Sequence, residues 1–179
     1  MAEEKKEKWL NYLALTTVIF AVCATLSTFK VGSFSTRSVL AQSQASDQWS
    51  YFQSKSIKGY LYELQKEKFE LEQKAAGPKL PRAVSEEYER KIDAYAGKIR
   101  KYEEEKAKIE KDAKALETLR DEAQRHSQAF GMAVIFLQIA ILLSSISALL
   151  KKKIVWIVGL VTGGFGLVYF VNGFMLFLK

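Results

Sequence analysis

Three stretches of the chain carry no charged residue. The first lies between Lys8 and Lys30, the second between His126 and Lys151, the third between Lys153 and Lys179. They hold 21, 24 and 25 residues. A helix needs about 20 apolar residues to cross the hydrocarbon core of a bilayer. Membrane helices are therefore expected at 9–29, 127–150 and 154–178. Barrel strands are shorter and alternate in polarity, so a transmembrane barrel is excluded, as is a soluble globular enzyme. The first run is longer than a signal-peptide core and no A-x-A site follows it, so it reads as a retained anchor.

Between the first two runs the pattern changes to helical amphipathicity. Tyr88, Ile92, Tyr95, Ile99 and Tyr102 step by four and three, Lys106 interrupts, and Ile109, Ala113 and Leu116 continue the phase. That heptad spacing predicts a coiled-coil helix. The preceding stretch is less regular. Ile57, Leu61, Leu64 and Leu71 form one stripe with Lys68 at a gap, and Ala41, Ala45, Trp49 and Phe52 form another. Both prolines lie at the break, Pro78 and Pro81, just after Gly77. Gly77 suits a helix terminus, Pro78 cannot continue a helix, and Ser85 is a candidate N-cap followed by Glu86 and Glu87. Val31, Gly32 and Ser33 suggest a bend after the first span.

These signals predict an all-α membrane protein with three transmembrane helices. A long antiparallel helical, coiled-coil hairpin joins the first and second. The tail is 1–8 and the hairpin 30–126, with arms 34–76 and 86–126 and a turn at 77–85; a short basic loop, 151–153, precedes the last span. The arms hold 43 and 41 residues, each about 60–65 Å at 1.5 Å rise.

Charge sets the orientation. The net charge is +7, which at first suggests nucleic acid. The hairpin, however, balances 20 basic against 17 acidic residues, and residues 1–8 cancel. Lys151, Lys152 and Lys153 supply much of the surplus, so it reads as membrane topology and no nucleic-acid partner is expected. By the positive-inside rule this short loop is cytoplasmic, with the N-terminus on the same side and the hairpin outside the cytoplasm. Trp9 and Trp156 then share one interface. The bilayer is the first expected partner.

Candidate chemistry is sparse. No span contains Asp, Glu, Lys, Arg or His, so an ion-coupled motor or proton relay is disfavoured despite a layout shared with motor stators. Gln138 and Asn172 are polar within the spans and suit interhelical hydrogen bonds, or a pore lining. Gly159, Gly163, Gly166 and Gly173 fall on one face of the third span. They suit close packing, either within one chain or between subunits. His126, the only histidine, sits at a span boundary, and Cys23, the only cysteine, lies within the first run. No catalytic, cofactor or metal constellation can be assembled, and no enzyme activity is expected. Lys74, Lys79 and Arg82 make the hairpin tip basic, as an exposed turn or a docking point for an anionic partner.

The stretch from Ala45 to Lys58 contains Asp47, Gln48, Trp49, Tyr51, Gln53 and Lys55. With the surrounding spans, it resembles a bacterial family of small membrane proteins classed as a domain of unknown function. The resemblance covers nearly the whole chain. It implies a bacterial membrane protein and carries over no catalytic residue; the inner membrane is the expected location. Trp49, Tyr51 and Phe52 are expected at a subunit contact, with packing inside the hairpin as the alternative. The expected function is a homo-oligomeric structural scaffold. An accessory subunit docking a transporter or envelope complex, and an oligomeric channel, are the alternatives.

Overall fold

The computed structural model describes residues 2–77 and 81–178, with side chains from Lys8 onward. It contains three helices: α1 (Ala2–Ala76), α2 (Arg82–Leu150) and α3 (Lys153–Met175). There is no strand among the described residues. All three helices are long and apolar enough to cross a membrane.

Each helix terminus has a local cause. Gly77 ends α1 with φ +58°, a left-handed conformation that costs glycine no Cβ clash. α2 starts earlier than Ser85 suggests. The Pro81 carbonyl accepts from the N–H groups of Val84 (2.9 Å) and Ser85 (3.1 Å), so Pro81 stands at the cap. Proline loses nothing at a helix start, where its missing N–H would be unpaired in any case. Ser85 lies inside the helix, and its hydroxyl accepts from Gln73 Nε2 at 3.3 Å. The bend expected at 31–33 is absent: α1 runs straight through it. One glycine costs a helix only about 1 kcal/mol, and a hydrogen bond between the Ser35 and Ser127 hydroxyls (2.8 Å) ties this stretch to α2.

Between α2 and α3, Lys151 takes φ +52° and Lys152 is extended. Ser147 Oγ donates to the Lys152 carbonyl at 2.9 Å, and Lys153 already belongs to α3. α3 stops at Met175 instead of continuing to 178. Leu176 is left-handed and its N–H donates to the Asn172 carbonyl (2.7 Å), while the Leu178 N–H donates to Asn172 Oδ1 (2.7 Å).

The chain divides into two compact units. One comprises residues 1–40 and 119–179, where all three helices meet. Its core is Phe20, Ala24, Ala133, Leu137 and Ala140, with Leu160, Leu167 and Phe170 packed against it. Trp9 and Trp156 lie 6.1 Å apart, and Trp156 Nε1 donates to Thr16 Oγ1 at 3.2 Å.

The other unit comprises residues 41–118, where α1 pairs with α2. Partners rise in number along α1 as they fall along α2: Trp49 with Glu117, Lys55 with Glu105, Tyr62 with Tyr95, Phe69 with Tyr88. Pairing is therefore antiparallel. On α2, the row from Tyr88 to Leu116 is shielded at every step. On α1 the stripe of Ala41, Ala45, Trp49 and Phe52 meets α2, and the other stripe does not. Ile57, Leu61, Leu64 and Leu71 are 60%, 55%, 61% and 65% exposed. At about 100° per residue they lie on the opposite side of α1 from Phe52, Gly59, Tyr62 and Phe69, which meet α2.

Aromatic geometry explains this choice. The tyrosines of α2 need flat partners and room. Tyr62 stacks on Tyr102 at 5.7 Å, Phe69 stacks on Tyr95 at 5.7 Å, and Gly59 lies beside Tyr102. The Lys98 ammonium lies over Tyr62 (4.7 Å to the ring centre) and that of Lys91 over Phe69 (5.3 Å), so each cation faces the negative face of a ring. Branched leucines offer neither stacking nor a cation site.

Candidate functional site

The residues singled out in the sequence fall into four places. Trp49 and Phe52 belong to the seam. Trp49 Nε1 donates to Glu117 Oε1 at 2.9 Å, its ring meets Phe52 edge-on at 5.5 Å, and Lys106 lies over Phe52. These described contacts lie within the chain, which is the alternative reading of this stretch. Tyr51 turns outward and is 50% exposed.

Lys55 links the two sides. Its ammonium pairs with Glu105 Oε2 at 2.6 Å and lies 5.1 Å from the Tyr51 ring and 5.4 Å from Tyr102. The bond to Glu105, then that to Tyr51, pushes the Lys55 pKa up. The same bond to Lys55 pulls the Glu105 carboxyl down.

Gly159, Gly163, Gly166 and Gly173 of α3 are all buried against their own chain. A Cβ at Gly163 would stand 2.3 Å from the Phe20 ring, one at Gly166 would stand 2.8 Å from Leu137 Cγ, and one at Gly173 would stand 2.7 Å from Phe130. Gly159 approaches Leu143 and Ser144. These four positions pack against α1 and α2 of the same chain.

The two polar span residues differ. Asn172 is 3% exposed and caps its own C-terminal backbone. Gln138 is exposed on the helix surface. At the basic tip, Arg82 Nε donates to Glu86 Oε1 at 3.1 Å. Lys74 is exposed, and Lys79 lies outside the described residues.

One linkage was not foreseen in its detail. His126 Nδ1 lies 2.7 Å from the Gly173 carbonyl, so Nδ1 carries the proton, and its ring stacks on Phe34 at 4.6 Å. One imidazole thereby joins α1, α2 and α3 where the apolar runs end. The boundary position was visible in the sequence; its partners are far away in the chain and were not. Among the described residues, no three His, Cys, Asp or Glu side chains converge as a metal site would require.

Residues 9–176 match the family described as Domain of unknown function (DUF4337). The chain belongs to that family. The match includes the whole of α3 as well as the Asp47–Lys55 stretch, so the DUF4337 unit takes in both the apolar helices and the paired arms. Curated proteins and solved structures yield no match to this DUF4337 chain.

Proposed function

We propose that this DUF4337 chain is a membrane-anchored structural protein that assembles with copies of itself. The observation that carries the proposal is the apolar stripe Ile57, Leu61, Leu64 and Leu71, which α2 does not cover. Its steps of four, three and seven are those of a coiled-coil seam, and the seam within the chain uses the other side of α1. Large apolar side chains aligned along one helix face favour burial against a partner. A second copy brings the same stripe. Gln138 gives independent support. An amide facing hydrocarbon is costly without a hydrogen-bond partner, and a neighbouring copy can provide one.

In this reading the three apolar helices cross the inner membrane of a bacterium and the arms form a coiled-coil hairpin. The Lys151–Lys153 stretch favours a cytoplasmic α2–α3 turn, and the Trp9–Trp156 pair supports an aromatic belt on that side. No catalytic role is assigned. Asn172, bonded to its own backbone, lends no support to a pore lining.

Native mass spectrometry of particles released from nanodiscs tests the assembly. A single species at a multiple of 20.3 kDa is expected, and Leu61→Asp with Leu64→Asp should reduce it to monomers that remain helical. A wild-type monomer in a native-like bilayer would overturn the proposal. A stoichiometric foreign polypeptide would replace it with the accessory-subunit reading.

A further inference from the structure

A half-open groove of about 590 Å³ lies where α2 enters its apolar run and α3 ends. Arg125, Gln128, Tyr169 and Asn172 line it with polar groups, and Met132 and Leu178 are among its apolar lining residues. The geometry sorts these groups by depth. Arg125 stands next to His126, after which the uncharged run starts, and Leu178 closes the last one. Met132 lies two turns further into the α2 run.

The polar lining is made of donors. Asn172 Oδ1 already accepts from Leu178 N–H, which turns its amide nitrogen to other partners. That nitrogen, the Arg125 guanidinium, the Gln128 amide and the Tyr169 hydroxyl donate to no described residue. No described residue lining the groove is acidic. Asp121, one turn back on α2, is engaged by Arg120 at 2.8 Å, and Glu122 does not line the groove. A guanidinium with neighbouring neutral donors and no counter-carboxylate is a site for an anion rich in acceptor oxygens. The apolar floor next to it suits a chain attached to that anion.

We propose that this groove binds the headgroup of an anionic phospholipid. Its phosphodiester oxygens accept from Arg125, Gln128 and Asn172, and an acyl chain follows Ala129 and Met132 along α2. The inference rests on the reading that the apolar helices cross a bilayer, because only then does Arg125 stand at headgroup depth. A zwitterionic lipid offers the same phosphate, but its quaternary ammonium finds no carboxylate in the groove. The site therefore selects for net negative charge.

The test is native mass spectrometry of the full chain in mild detergent, titrated with phosphatidylglycerol or with phosphatidylcholine of the same acyl length. One phosphatidylglycerol per chain should be retained, with roughly tenfold preference, as expected for a charge-assisted contact. Arg125→Gln should abolish the preference. Met132→Trp, which fills the apolar floor and leaves the charge in place, should lower retention of both lipids. Lys151→Gln, just past the far end of the α2 apolar run, should change nothing. Equal retention of the two lipids, or an unchanged preference in Arg125→Gln, would overturn the proposal. Binding of glycerol phosphate as tight as that of the lipid would assign the groove to a soluble phosphate and overturn the lipid. Alkaline carbonate extraction separates the two readings. Release of the chain from membranes sinks the membrane reading itself, whereas retention without lipid preference sinks only the groove.

Discussion

At Gly163 one missing methyl group decides how closely α3 meets α1. The Phe20 ring occupies the space a Cβ would need, and Phe20 is itself in the core. Gly163→Ala must push an aromatic ring out of a packed site, at a cost of about 1–3 kcal/mol. The neighbouring Gly164 has nothing within 4 Å of its would-be Cβ. Thermal unfolding in detergent should therefore show a lower Tm for Gly163→Ala and almost none of that loss for Gly164→Ala. Equal effects would mean that Phe20 does not pack there. The Lys55–Glu105 pair gives a second prediction. Glu105 has a lowered pKa in the fold, so its contribution is present above the ordinary carboxylate range and is lost as pH falls through the folded value. Lys55 has a raised pKa, so its contribution is present below the ordinary lysine value and disappears as pH rises through the folded one. The wild type should thus lose stability on acidification to a greater extent than Glu105→Gln. Parallel melting curves across that acidic range would remove the pair from the account.

The same logic at the level of helices separates seam from surface. α2 presents tyrosines every three or four residues, and α1 answers with Gly59, Tyr62 and Phe69, not with its leucines. Tyr62 contacts two tyrosines and a lysine. Tyr62→Ala should destabilise the arms by about 2–4 kcal/mol, in the range for truncating a packed aromatic. Leu64→Gln, on the exposed stripe, should leave the unfolding of the isolated chain nearly unchanged and weaken only assembly. Comparing circular-dichroism melts of the two variants at low concentration distinguishes the faces; a large loss for Leu64→Gln would place it in the seam. Helix ends obey equally local rules. Gly77→Ala places a Cβ at φ +58° and should cost about 1 kcal/mol. Ser85→Ala should cost less than the roughly 1 kcal/mol of a lost N-cap, because Pro81 and not Ser85 starts α2.

For the whole molecule, topology is the property that decides which partners the arms can meet. With Cys23 changed to Ser, a cysteine placed at Gly97, which is exposed with nothing within 4 Å of its would-be Cβ, reports on the arms. One placed at Lys152 reports on the α2–α3 turn. In intact spheroplasts, a membrane-impermeant maleimide should label the first and spare the second. The reverse pattern would put the arms in the cytoplasm. The three apolar runs, the Gly77 terminus and the α2 row from Tyr88 to Leu116 were legible in the sequence. Each depends on residues adjacent in the chain or one turn apart, where run length, backbone freedom and helical period act directly. The face of α1 that meets α2 was legible as the stripe Ala41, Ala45, Trp49 and Phe52 and not beyond it. Leucines at heptad spacing and aromatics beside them are both plausible seams, and the choice depends on tyrosines some 30–40 residues away in sequence. For the same reason the sequence left the glycine face open between intrachain and subunit packing, until Phe20, Phe130 and Leu137 were found to fill it. The sequence alone thus determined how many apolar helices there are and where the chain turns, because these are local properties. Only tertiary structure decided which faces are consumed within the chain and which are left for partners, because that is set by the shapes of residues far apart in the chain.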